Sequence, residues 1–133
     1  MKTVVLLYSL VFSGLTVFFI QQKSLEQSLE DGAEIYQDFC VQCHLDQGQG
    51  VANAFPPLAK SDFLKNQLEL SLKGVKYGMR GPIEVNGKNY DGVMVAQGLD
   101  DQEVADVMNY VLSNWGNQLE RPITAAQVAD IQK

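Results

Sequence analysis

The first apolar block covers residues 3–20 and has no polar face; Tyr8, Ser9, Ser13, Gly14 and Thr16 merely dilute it. Its length falls between an export signal and a membrane span. No A-x-A-like cleavage site follows it, so residues 1–23 are expected to be a signal peptide or an N-terminal membrane anchor. Either one sends the rest of the chain across a membrane. Beyond it the pattern turns amphipathic. SLEQSLED at 24–31 is polar and acidic and reads as a linker or the beginning of a helix. Ile35, Tyr36 and Phe39 then share a helical face that runs directly into Cys40. Gly48, Gly50, Pro56 and Pro57 make 45–60 an irregular loop. Helical spacing resumes with Phe63, Leu64, Leu68, Leu72 and Val75 behind a Ser61 cap, and Gly74 and Gly78 mark its end.

A short hairpin is predicted at IEVNGKNY, because Asn86-Gly87 is a favoured pair for a type I′ turn. The clearest helix is predicted at DDQEVADVMNYVLSNWG. Asp100 and Asp101 suit the positive end of its dipole. Val104, Val107, Met108, Val111, Leu112 and Trp115 form an apolar stripe, and Gly116 suits the stop. Thr124 and Gln127 have capping-box spacing, with Ile123 and Val128 at staple positions, so a short last helix should pack back onto the body. The expected organisation is a leader or anchor at 1–23, a linker at 24–31, one domain at 32–116 and a C-terminal extension at 117–133.

Charge narrows the classes. Sixteen acidic against ten basic side chains give a net charge of −6, and two of the cations, Lys2 and Lys23, belong to the N-terminal stretch. So acidic a body argues against nucleic acid, which calls for a basic face. It favours partners with positive patches. Lys60, Lys65, Lys73, Lys76, Arg80 and Lys88 gather in the middle segment between acidic flanks, which predicts a dipolar surface.

The chemistry is concentrated in DFCVQCHLDQGQG, which holds both cysteines and the sole histidine: Cys40, Cys43 and His44. A structural zinc site needs four ligands, and only three are present. A redox Cys-x-x-Cys expects a neighbouring βαβ pattern, and the surroundings are helical. A disulfide between Cys40 and Cys43 would leave His44 unexplained. Cys-x-x-Cys-His is the signature of covalent haem attachment: two thiols reach the vinyl groups of one porphyrin edge, and the next side chain is an imidazole for the iron. The sixth iron position is commonly taken by a methionine, whose thioether stabilises ferrous iron. Met1 lies in the leader and Met108 on the core stripe. Met79, in YGMRGP, and Met94, in DGVMVAQGLDD, lie in glycine-flanked segments. With the histidine so used, no Ser/His/Asp constellation exists, and the carboxylates show no paired spacing.

Over roughly residues 32–116 the chain resembles the class I cytochrome c family, the monohaem CxxCH/Met type, in its bacterial branch. Gly32 and Tyr36 stand eight and four positions before Cys40, and Tyr110 lies in the last long helix, where the family packs an aromatic against that glycine. FPPLAKSDFL resembles the segment whose proline carbonyl holds the ligand imidazole, and VNGKNYDGVM followed by GLDDQEVADVMNYVLSNWGN resembles the segment carrying the ligand methionine. Val95 stands where that branch usually has proline. The resemblance implies an all-α fold, a small helical domain wrapped around one covalently bound haem c, with a short β-hairpin. It implies thioethers at Cys40 and Cys43, His44 and Met94 as iron ligands, and Pro56 as the imidazole's partner. The implied function is single-electron transfer between exported or membrane-bound redox partner proteins, without enzymatic activity of its own. The implied location is the periplasm or the outer face of the cytoplasmic membrane, with residues 3–20 offering membrane association. Two alternatives stand beside it: a haem-based sensor or ligand-binding module, and a small cytochrome subunit of a membrane oxidoreductase complex.

Overall fold

The computed structural model describes residues 23–133. In order it contains α1 (Leu25–Ile35), a π-helical turn (Tyr36–Cys40), α2 (Val41–His44), α3 (Asp62–Asn66), α4 (Leu68–Tyr77), β1 (Met79–Val85), β2 (Lys88–Met94), α5 (Asp101–Ser113) and α6 (Ala125–Ala129). The apolar block at 3–20, with its leader or anchor reading, lies outside the described residues. Among the described residues no helix is long and apolar enough to cross a membrane.

The expected linker at 24–31 is the first two turns of α1. Ser24 caps it by accepting from Gln27 N at 3.2 Å, and Ser28 faces inward. The crossing partner is α5, whose start carries a full capping box between Asp100 and Glu103. Where the two cross, a Cβ on Gly32 would stand 2.1 Å from the Asp106 carbonyl oxygen and 2.9 Å from Tyr110 Cβ. The backbones therefore meet at a distance that only glycine permits.

A buried polar set locks this crossing. Asp106 is 2% exposed. It accepts from Ser28 Oγ at 2.6 Å and Gln102 Nε2 at 2.9 Å, and it pairs with the Lys23 ammonium, which also grips Asp31. Lys23, grouped by the sequence with the leader, is thus the cation that a buried carboxylate requires. Burial opposes the charge on Lys23, but the bonds and charges of Asp106 and Asp31 outweigh it and raise its pKa. Asn109 extends the set: its Nδ2 donates to Ser28 Oγ at 2.9 Å and to Ile123 O at 3.0 Å, while its Oδ1 accepts from Ile123 N at 2.7 Å. Both backbone groups of Ile123 are held, so the C-terminal extension docks on α5. Its helix α6 has the expected Thr124–Gln127 capping box, and Ile123 and Val128 join the core formed by Tyr36, Leu64, Leu72, Val104, Val107, Met108, Val111 and Leu112. Met108 is a packing residue, as its place on the stripe implies.

Three local expectations change. The helix after Ser61 is two helices, α3 and α4, broken at Gln67 (φ −132°, ψ 45°), and Gly74 lies inside α4 rather than at its end. The stop of α5 comes before Trp115: Asn114 is the C-cap, and Trp115 itself takes φ 52°. Asn117 replaces a glycine stop, donating to Val111 O at 2.9 Å and Leu58 O at 2.8 Å and accepting from Ser61 N at 3.1 Å. The hairpin turns at Asn86-Gly87, where φ is 52° and 73°, but its ladder is longer than expected and runs from Val85↔Lys88 to Met79↔Met94. Gly32→Ala is expected to lower unfolding stability by about 3 kcal/mol through overpacking at the crossing. Denaturant titration of the haem-loaded chain checks this; an unchanged midpoint would show that the two helices can separate freely.

Candidate functional site

Cys40, Cys43 and His44 are presented by a helix that changes pitch. The π-helical turn over Tyr36–Cys40 follows α1, and α2 then carries Val41–His44. Single π turns of this kind favour functional sites. The wider turn separates Tyr36, fully buried, from Phe39, which is 42% exposed instead of sharing its face. Helix α2 ends at His44 because Leu45 leaves the helical region (φ 62°, ψ 167°).

The loop then returns to the imidazole. Gly50 N donates to His44 O at 2.9 Å, and Val51 and Phe55 pair in a small antiparallel bridge. This fold-back brings the Pro56 carbonyl oxygen to 3.0 Å from His44 Nδ1. A carbonyl only accepts, so Nδ1 carries the proton and Nε2 keeps its lone pair. Gly50 makes the turn possible: its φ is +63°, and a Cβ there would stand 2.4 Å from Phe55 O and 2.8 Å from Pro56 O. Leu58 N and Ala59 N both donate to Gly48 O, at 2.7 and 2.8 Å, closing the loop behind it.

Electrostatics separates the candidate chemistries. Burial holds His44 below the usual imidazole value, against an upward pull from the Pro56 carbonyl, so it is neutral at pH 7. Burial, and then the Cys43 thiol, push Cys40 up to about 11. That is opposite to the lowered pKa of a redox or thiolate-ligating cysteine. Cys40 and Cys43 are not joined in a disulfide. Among the described residues, no three His, Cys, Asp or Glu side chains gather as a metal cluster would.

The two candidate thioethers are cross-strand partners. Met79 opens β1 and Met94 closes β2, opposite each other at the open end of the hairpin, so both glycine-flanked segments are strand ends. Met79 is spent on packing: its Cε lies 2.8 Å from where a Cβ on Gly74 would be. Met94 is half-buried, and its carbonyl oxygen lies 2.8 Å from where a Cβ on Gly78 would be. Behind the cysteines, Tyr36 packs against Tyr110 (centroids 5.7 Å) and Trp115 (4.9 Å), and Trp115 meets Tyr110 edge-on at 5.6 Å. Tyr36 also donates to Leu45 O at 2.8 Å, so it braces the end of α2. Phe39, Val51, Phe55, Val93 and Val95 are exposed apolar side chains, all close in sequence to Cys40, Pro56 or Met94.

Gly50 and Trp115 are contributors that pattern reading missed. Gly50 looks like any loop glycine, and Trp115 looks like one more stripe residue; only the fold shows what each touches. Of the cations expected to form a surface dipole, Lys76 is turned inward, on Asp101 at 2.9 Å and Val128 O at 2.8 Å.

The family model for cytochrome c matches residues 29–115. Over 112 residues the chain is 39% identical to cytochrome c-552 from Thermus thermophilus, covering 77% of this chain and 84% of that protein. Over 103 residues it is 32% identical to the cytochrome c subunit of alcohol dehydrogenase (quinone) from Gluconacetobacter polyoxogenes, covering 76% of this chain and 22% of the relative. It is also 28% identical over 123 residues to the cbb3-type cytochrome c oxidase subunit CcoP of Rhodobacter capsulatus, covering 89% of this chain and 41% of the relative.

Gly50→Ala is expected to destabilise the haem-loaded protein by about 2–3 kcal/mol, combining an unfavourable φ with the clash at Phe55 and Pro56. Chemical denaturation measures this, and a wild-type midpoint would mean that the loop has another way to reach His44.

Proposed function

Because the chain belongs to the cytochrome c family, whose members carry covalently attached haem c, we propose that it is a single-electron carrier with His/Met axial ligation. Cys40 and Cys43 form the thioethers, His44 and Met94 are the axial ligands, and Pro56 is the residue that orients His44. Bound haem supplies the reversible one-electron iron couple. The observation that carries this reading is the 3.0 Å contact between His44 Nδ1 and Pro56 O, which fixes the tautomer and leaves Nε2 as the donor. Such a bond orients a ligand imidazole and raises its basicity. The raised pKa of the Cys40 thiol, together with the exposed apolar side chains close in sequence to Cys40, Pro56 and Met94, suits a covalently held apolar group better than a metal-thiolate centre.

Met94 is preferred to Met79 because Met79 already packs on Gly74. A thioether at the sixth position closes the iron to exogenous ligands and raises the potential. That is why the carrier reading stands above a sensor reading, and why the protein has no turnover site of its own. Partners are other redox proteins, reached through the exposed apolar side chains of Phe39, Val51, Phe55, Val93 and Val95. Residues 1–23 are the export signal or anchor, which puts the domain in the periplasm or on the outer face of the cytoplasmic membrane. A second reading, as a cytochrome subunit of a membrane oxidoreductase, draws on the dehydrogenase and oxidase relatives, although the chain spans only 22% of the dehydrogenase subunit and 41% of the oxidase subunit.

Met94→Ala is expected to abolish the weak far-red absorption band of a thioether-ligated ferric haem and to lower the midpoint potential. Met79→Ala is expected to keep the band. The opposite pattern in the two ferric spectra would transfer the ligand role to Met79.

A further inference from the structure

The last turn of α4 is a junction between two segments far apart in sequence. On one side it meets the return that follows β2. A Cβ on Gly78 would stand 2.8 Å from Met94 O and 3.0 Å from Ala96 N, so the 94–96 backbone lies directly on Gly78. At the other end of that return, Asp101, the first residue of α5, pairs with Lys76 at 2.9 Å. Residues 94–101 are therefore held at both ends by positions 76–78. On the other side the same turn meets the C-terminal extension. Lys76 Nζ donates to Val128 O at 2.8 Å, and Tyr77 Oη donates to Ile131 O at 3.1 Å. Those carbonyls do not wander: Val128 is fully buried, Ile131 is 9% exposed, and Ile123 is fixed by Asn109.

We propose that Lys76 and Tyr77 are positioning residues, which transmit the docking of residues 123–131 to the 94–101 return and so keep the Met94 sulfur at its ligand position. The inference rests on the His/Met reading above. Lys76 touches both segments, joining Asp101 to Val128 O, so loosening the extension leaves Asp101 with a mobile partner. Tyr77 is next to Gly78, on which the Met94 carbonyl lies. Losing either bond gives the α4 end more freedom and increases the fraction of molecules in which the sulfur is away. A protein needs no change of fold for such a shift in population.

The test uses the full-length, haem-loaded protein with Lys76→Met, which keeps the aliphatic stem, and Tyr77→Phe, which removes only the hydroxyl. Ser61→Ala, which removes the N-cap of α3, controls for general loosening. The readout is the rate of carbon monoxide binding to the ferrous protein, because carbon monoxide binds only where the sulfur is away. Tyr77→Phe, which loses one hydrogen bond, is expected to bind about fivefold faster, and Lys76→Met, which loses its bonds to both Asp101 and Val128 O, at least as fast, with Ser61→Ala at the parent rate. Lys76→Arg should restore the parent rate. Parent rates in both clasp variants, or an equal acceleration in Ser61→Ala, would overturn the proposal. The two readings are separable: a parent protein whose ferric far-red band does not depend on Met94 refutes the ligation, and this inference with it. A Met94-dependent band with unchanged variant rates refutes the clasp alone.

Discussion

The approach of α1 to α5 at Gly32 is the constraint on which the rest depends. With no side chain at that point, the Asp106 carbonyl oxygen comes within 2.1 Å of where a Cβ would be, and the π turn that carries Cys40 emerges beside the aromatic group of Tyr36, Tyr110 and Trp115. Helices this close cannot leave polar groups unmatched between them. The Lys23–Asp106–Ser28–Asn109 set supplies the matches, and its last member reaches on to Ile123. Crossing, polar lock and C-terminal docking are one connected arrangement.

From that frame the site is built by backbone more than by side chains. His44 is oriented by a carbonyl, Gly50 allows the fold-back that delivers it, and Gly78 gives the Met94–Ala96 backbone a seat. The side chains assigned to chemistry are few, two thiols, an imidazole and a thioether, with no carboxylate or ammonium among them. In an acidic chain that gives the centre a character different from the surface. A haem-bearing carrier needs that difference, because its potential depends on burial and on ligand identity.

Much of this was legible in the residues. The Cys-x-x-Cys-His cluster, the Ser61 cap, the Asn86-Gly87 turn, the α5 stripe and the Thr124–Gln127 capping box are local signals, each carried by a few adjacent positions. What escaped is non-local or offsets local rules. The π turn has no composition mark, so α-helical spacing puts Phe39 on the face of Tyr36. Gly81 and Pro82 disguise the outer rungs of the hairpin, which hid the pairing of Met79 with Met94. Gly74 reads as a helix stop but is needed in mid-helix as the seat of Met79. Lys23 and Lys76 look like leader and surface cations; each is committed to a carboxylate that only the tertiary fold brings near.

The central claim is that a methionine sulfur, that of Met94, completes the iron's ligand set. Iron K-edge X-ray absorption on the ferric, haem-loaded Met79→Leu protein tests it most directly, since Met108 is packed in the core. The account predicts one sulfur atom among the nearest neighbours of the iron. A shell of nitrogen and oxygen alone would contradict it.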